Sequence, residues 1–177
     1  MTKTDRVWRE QGLQQAVLAG DEKAWRVLYD EEFGSLEGFA LWRCGRMRDL
    51  TDDVLQETWM TALKSMRRFD PERGTFRQWL YGIASNVIQQ QLRSRKRRIQ
   101  REQTHAGKNG TDQEQGERVA EALAALSERS ELVLRMKYLE QRTVAEIADE
   151  WGESEKAVES LLSRARAAFR EVYGDDG

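Results

Sequence analysis

Between residues 8 and 97 large apolar side chains recur at spacings of three and four among polar ones, and no stretch alternates strictly. That pattern predicts helices near 8–19, 21–31, 34–47, 51–67 and 75–97. The fourth is expected to begin at Thr51 as N-cap, with Asp52 and Asp53 in a first turn that the helix dipole favours. Its apolar stripe is Val54, Leu55, Thr58, Trp59, Ala62, Leu63 and Met66. Pro71 and Gly74 break the chain before the fifth helix, leaving a loop, "RRFDPERGTF", that carries both aromatics and arginines.

The periodicity then lapses. Residues 102–116, "EQTHAGKNGTDQEQG", contain three glycines and no large apolar side chain, which is linker composition. Such a segment spans roughly 20 Å as a coil and about 50 Å stretched. Beyond it, helices are expected near 117–126 and 128–139, followed by "TVAEIADEWGESEKAVESLLSRARAAFREVY". Thr143 and Glu146 have capping-box spacing, Ile147, Ala148 and Trp151 pack one short helix, and Gly152 permits a tight turn. Ser154 can cap a second helix whose buried face is Val158, Leu161 or Leu162, and Ala165. This is a helix-turn-helix pattern with the helix from Glu155 onward placed for a major groove. The expected fold is all-α: two small helical domains, 1–101 and 117–177, joined by a flexible linker.

One proline in 177 residues supports helices throughout. Charge changes the picture further. From Lys64 to Arg101 eleven basic residues face only Asp70 and Glu72, a net of +9 in a chain whose total is −2. A basic island in an acidic protein is a candidate polyanion site, since neutralised phosphates release counterions. The domain after the linker carries −5, yet Lys156, Arg164, Arg166 and Arg170 gather on its last helix. Cys44 is the sole cysteine and His105 the sole histidine, which excludes an internal disulfide and a Cys/His metal cluster. No cofactor is expected. Neither a glycine-rich phosphate loop nor a nucleophile–base pair is present, so catalysis is not expected. No apolar run approaches a membrane span and "MTKTDRVWRE" lacks a signal-peptide core, so a cytoplasmic protein without membrane insertion is expected.

Each candidate surface has an ordinary structural reading beside the functional one. Phe69, Phe76 and Tyr81 near Asn86 suit single-strand recognition, with π-faces for bases and an amide for a base edge, or they are simply core aromatics. Arg93 to Arg101 is either a solvated helix end or a phosphate contact. Asp53, Gln56 and Glu57 either begin an amphipathic helix or bind a basic partner.

Taken together, the chain resembles the extracytoplasmic-function sigma factors of the sigma-70 family. "DDVLQETW" resembles the family's region 2.2, "FDPERGTFRQWLYGIASN" its regions 2.3 and 2.4, and "TVAEIADEWGESEKAVESLLSRARAAFRE" its region 4.2. The resemblance implies core RNA polymerase as a partner, with Asp53, Gln56, Glu57 and Trp59 meeting the β′ clamp helices and the second domain meeting the β flap. It implies that Phe69, Thr75, Phe76, Ile83 and Asn86 receive a base flipped from the non-template strand of the minus-ten element. Arg93, Arg95, Lys96, Arg97 and Arg98 would hold its phosphates. Ser154, Lys156, Ala157, Glu159, Ser160, Arg164 and Arg166 would read the minus-thirty-five element as duplex. An anti-sigma factor is an expected further partner. Two departures stand out: Gly82 where the family often has Arg, and Glu159, Ser160 and Leu161 where it commonly has Lys-Ser-Arg. The rival readings are a helix-turn-helix regulator that acts without polymerase and a helical adaptor that binds only protein.

Overall fold

The computed structural model describes residues 2–102 and 111–174. Among the described residues every regular element is a helix, and none is long and apolar enough to cross a membrane. The chain divides into two compact units, Met1–Leu41 with Arg48–Gln100, and Trp42–Met47 with Arg101–Gly177.

The first unit is built on α1 (Lys3–Leu18), α2 (Glu22–Arg43), α3 (Arg48–Ser65) and α4 (Phe76–Glu102), with a 3-10 turn at Met66–Arg68. α1 starts five residues earlier than the apolar pattern suggests, because Thr2 and Asp5 form a capping box: Asp5 N donates to Thr2 Oγ1 at 3.2 Å and Thr2 N to Asp5 Oδ2 at 2.9 Å. The two helices expected over 21–31 and 34–47 are one. A helical glycine costs about 1 kcal/mol relative to Ala, and burial of Leu28 before Gly34 and of Leu36, Phe39 and Ala40 after it outweighs that cost. Thr51 is not an N-cap. α3 begins three residues earlier and buries Thr51, 3% exposed, so Asp49 rather than Asp52 or Asp53 occupies its first turn. The core gathers Leu36, Phe39, Val54, Met66, Leu80 and Ile88, each at most 1% exposed.

The second unit contains α5 (Thr111–Ala125), α6 (Glu128–Leu134), α7 (Val144–Trp151) and α8 (Glu155–Tyr173), with a wide π turn at Arg135–Leu139. Residues 111–116, read as linker from composition, belong to α5, whose first turn carries Asp112 and Glu114 where the dipole favours acids. The rest of the expected linker, 103–110, lies outside the described residues. Val133, Met136, Ile147, Val158, Leu162 and Ala165 form the core, and Leu161 is buried beside Leu162. Gly152 ends α7 in the left-handed region, φ 64°, which turns the chain sharply into the Ser154 cap of α8.

Candidate nucleic-acid interface

α4 is the longest helix, and its start is fixed by a reciprocal pair. Gln78 N donates to Thr75 Oγ1 at 3.1 Å, and Thr75 N donates to Gln78 Oε1 at 3.0 Å. From there Trp79, Ile83, Asn86, Gln90, Arg93 and Arg97 recur at spacings of three and four, so they share one face. The stripe runs about 27 Å along the axis. Trp79 and Ile83 are half-buried, whereas Asn86, Gln90, Arg93 and Arg97 are exposed. One face therefore grades from an apolar end through amides to cations. Lys96 and Arg98 are exposed beside it.

Arg95, grouped by sequence with these cations, has another task. Its side chain is only 11% exposed and Nη1 donates to Asp49 Oδ2 at 3.1 Å, which ties the end of α4 to α3. Burial pushes the Asp49 carboxyl up, but the hydrogen bonds from Arg95 and the Leu50 amide hold it below the usual carboxylate value.

The aromatic residues also depart from the sequence expectation. Phe69 and Phe76 are 5% and 2% exposed, edge to face at 5.4 Å, and Trp79 tilts against both at 5.3 and 5.6 Å. Neither phenylalanine offers a face to a base in this conformation. Tyr81 stacks on Phe39 at 4.4 Å and donates its hydroxyl to Ser35 O at 3.0 Å, so it too faces the fold. Thr75 and Ile83 are half-buried, and Asn86 alone of the expected pocket residues is exposed. Gly82 is exposed one turn before Asn86, with open space where a Cβ would lie.

On α3, Asp53 and Gln56 are exposed, and Glu57 is half-buried and accepts from Gln91 Nε2 at 2.7 Å. Trp59 is core, 8% exposed, edge-on to Trp25 at 5.6 Å and tilted on Tyr29 at 4.6 Å. The residues that do accompany Asp53 and Gln56 on the outer face are Met60 and Leu63, 50% and 49% exposed. Periodicity placed Leu63 inside; helical spacing from Asp53 through Gln56, Met60 and Leu63 was the signal that sets it outside.

The helix-turn-helix is held by its caps. Glu146 N donates to Thr143 Oγ1 at 3.2 Å while Thr143 N donates to Glu146 Oε2 at 2.8 Å. These bonds hold the Glu146 carboxyl below its ordinary value. A carboxylate so depressed contributes stability above its unfolded pKa and loses it as pH falls through the folded value. The gap in denaturation midpoint between wild type and Glu146→Ala is therefore expected to narrow as pH drops from 7 toward about 3; a constant gap would deny the reciprocal cap. On α8, Ser154, Lys156, Ala157, Glu159, Ser160 and Arg164 are exposed. The hydroxyl of Ser154 caps the helix, accepting from Ala157 N at 3.2 Å. Arg166 is exposed as well, and it has a partner of its own. It donates Nε to Tyr138 Oη at 2.8 Å and lies over that ring at 5.8 Å, on the flank of the helix.

Comparisons with known proteins agree with this layout. Sigma-70 region 2 matches residues 28–98 and Sigma-70, region 4 matches residues 116–169. The ECF RNA polymerase sigma factor SigL of Mycobacterium tuberculosis is 29% identical over 160 residues, covering 86% of this chain and 90% of SigL. The ECF RNA polymerase sigma factor BldN of Streptomyces coelicolor is 25% identical over 170 residues, covering 89% of this chain and 63% of BldN. Among solved structures, CnrH in complex with the cytosolic domain of CnrY has a TM-score of 0.53 at 26% identity, covering 96% of this chain and 99% of CnrH. The sigma factor RpoE in complex with the anti-sigma factor NepR from Bartonella quintana shares the fold, with a TM-score of 0.51 at 22% identity over 88% and 99% of the two chains.

Proposed function

The chain belongs to the extracytoplasmic-function class of the sigma-70 family and is a sigma factor for transcription initiation, a binder of core RNA polymerase and promoter DNA rather than an enzyme; from that premise we propose how its surfaces divide the work. Residues 1–102 bind polymerase and open the minus-ten element, 111–177 read the minus-thirty-five element as duplex, and the chain between α4 and α5 joins them. The observation that carries this reading is the single graded face of α4. Asn86 and Gln90 sit where base edges are needed and Arg93 and Arg97 where a phosphate strand leaves. Phe69 and Phe76 act as the packed floor of the adjoining loop, and Thr75 fixes the helix start. Extruding a base costs a few kcal/mol, and a pocket that captures it drives opening without ATP.

The exposed strip of α3 meets the β′ clamp helices through Asp53, Gln56, Met60 and Leu63. The β flap meets an apolar cleft of about 310 Å³ in the second unit, lined in part by Leu123, Leu134, Tyr138 and Phe169. On α8, Lys156, Ser160 and Arg164 face the groove, with Glu159 able to accept from a cytosine amino group. The protein works in the cytoplasm, and an anti-sigma factor, the kind of partner that NepR is to RpoE, completes the set.

Reconstituted transcription tests the reading. Core polymerase with the full chain on random promoter fragments is expected to give new, sequence-selective starts. No stimulation beside an active control sigma factor, together with tight duplex binding by the free chain, would move the reading to a polymerase-independent regulator. In the same system Met60→Asp is expected to weaken core-polymerase binding about tenfold, the scale of one interface anchor, with the folded spectrum unchanged because Met60 is half exposed. Unaltered binding would remove α3 from the polymerase contact.

A further inference from the structure

The loop between α3 and α4 is held only in part by its own turns. Phe69 N donates to Met66 O at 3.1 Å, and around Asp70 the side-chain Oδ1 accepts from Glu72 N at 3.0 Å while Arg73 N donates to Asp70 O at 3.1 Å. Five backbone groups along it also bond to three side chains of α1. Gln14 Nε2 donates to Met66 O at 2.9 Å and to Phe69 O at 2.6 Å. Arg6 donates to Pro71 O and Gly74 O, both at 3.2 Å, from its two terminal nitrogens. Glu10 Oε1 accepts from Phe76 N at 3.1 Å, the first amide of α4, and its other oxygen pairs with Arg6.

Arg6, Glu10 and Gln14 are spaced four apart, so they stack on one face of α1 over about 12 Å. Each chemistry matches its task. An amide NH₂ has two donors for two carbonyls, a guanidinium fork spans two more, and a carboxylate is acceptor-only and suits a helix-start N–H that has no partner within its helix. Glu10 and Gln14 are both 8% exposed. Buried polar side chains whose bonds go to a distant loop, 52 to 68 residues away, are not explained by α1's own stability. α1 also precedes the region 2 match, which starts at residue 28.

We propose that Arg6, Glu10 and Gln14 are positioning residues that set the shape of the 66–75 loop and thereby its discrimination at the minus-ten element. The inference rests on the reading of that loop and α4 as the minus-ten surface. Gln14→Met keeps length and apolar packing while deleting both donors. In reconstituted transcription with the full chain on a promoter library randomised at the minus-ten element, it is expected to flatten base preference at the most selective position by about tenfold, with core-polymerase binding within twofold. Glu10→Gln, which keeps an acceptor for the Phe76 amide, is expected to retain most of the preference, whereas Glu10→Met is not. A uniform loss on all promoters with preference intact would overturn the proposal, because a merely structural role lowers output without changing which base is chosen.

Wild-type hydrogen exchange gives a test that no folding defect can spoil. The Phe76 amide is expected to be protected to the same degree as the core of α4, and rapid exchange there would equally overturn the proposal. Should Asn86→Ala leave minus-ten selection untouched as well, the surface assignment itself has failed; should Asn86→Ala impair it and Gln14→Met not, only the role of α1 has.

Discussion

Phe76→Leu is expected to retain both fold and promoter opening, whereas Phe76→Ala is expected to destabilise the first unit by about 3–5 kcal/mol, as large-to-small core changes do. The ring is 2% exposed, wedged between Phe69 and Trp79, and its amide is held by Glu10. Leu keeps most of the apolar volume, and near-isosteric core exchanges usually cost under about 1.5 kcal/mol. Against a total stability on the order of 5–15 kcal/mol, the Ala variant loses a large share and the Leu variant little. Denaturant unfolding followed by circular dichroism measures the first quantity, and permanganate reactivity of promoter thymines measures the second. The informative case is Leu, which keeps hydrophobicity and loses the π-face. A Leu variant that stays folded yet fails to open DNA would show that the ring stacks on a base, and that the loop must unpack to present it.

The two units differ in how far their sequences reveal them. The helix-turn-helix was legible because each of its signals is local: Thr143 and Glu146 three apart, Gly152 at the left-handed turn, Ser154 before the first turn of α8, and apolar residues at helical spacing. The break expected between 31 and 34 is absent because propensity is a weak prior, and α2 continues through it on the strength of Leu36 and Phe39. Residues 111–116 misled for the opposite reason. Polar composition excludes a core face but does not forbid a helix, and Thr111–Ala125 buries its apolar side from Ala120 onward.

At the candidate site, periodicity tells which residues share a face and not how deep each one lies. Asn86, Arg93 and Arg97 were expected on the DNA-facing side and do line up on one exposed stripe. Trp59, Phe69 and Phe76 were expected among the contacts and lie in the core, since aromatic rings at helical spacing satisfy either pattern. Arg95 and Arg166 were expected among the DNA contacts, and nothing in the sequence signals that Asp49 and Tyr138 also engage them from 46 and 28 residues away. Arg6, Glu10 and Gln14 left no local trace at all, because the groups they serve are more than fifty residues distant.

Asn86→Ala and the pair Arg93→Ala with Arg97→Ala are expected to impair promoter opening in distinguishable ways. Asn86 stands exposed in the middle of the α4 stripe, with Ile83 beside it and the open space at Gly82 one turn before it. A base edge brought to this position would meet an amide that can both donate and accept. A lost base-edge contact is worth about 1–3 kcal/mol, so opening falls between roughly fivefold and 150-fold, while core-polymerase affinity and salt dependence are unchanged. The arginine pair instead neutralises phosphates. Removing two such contacts to a single strand lowers the slope of log K against log salt by about 1.4, at about 0.7 per phosphate, and weakens binding similarly for every sequence. Promoter affinity and permanganate footprints across a salt series separate the outcomes. If Asn86→Ala weakened binding alike for every sequence and left the opened bases unchanged, the amide would be a backbone contact and the base pocket would lie elsewhere on the loop. If the arginine pair changed base preference and not the slope, the cations would be reading bases, and the graded face of α4 would run in the opposite sense.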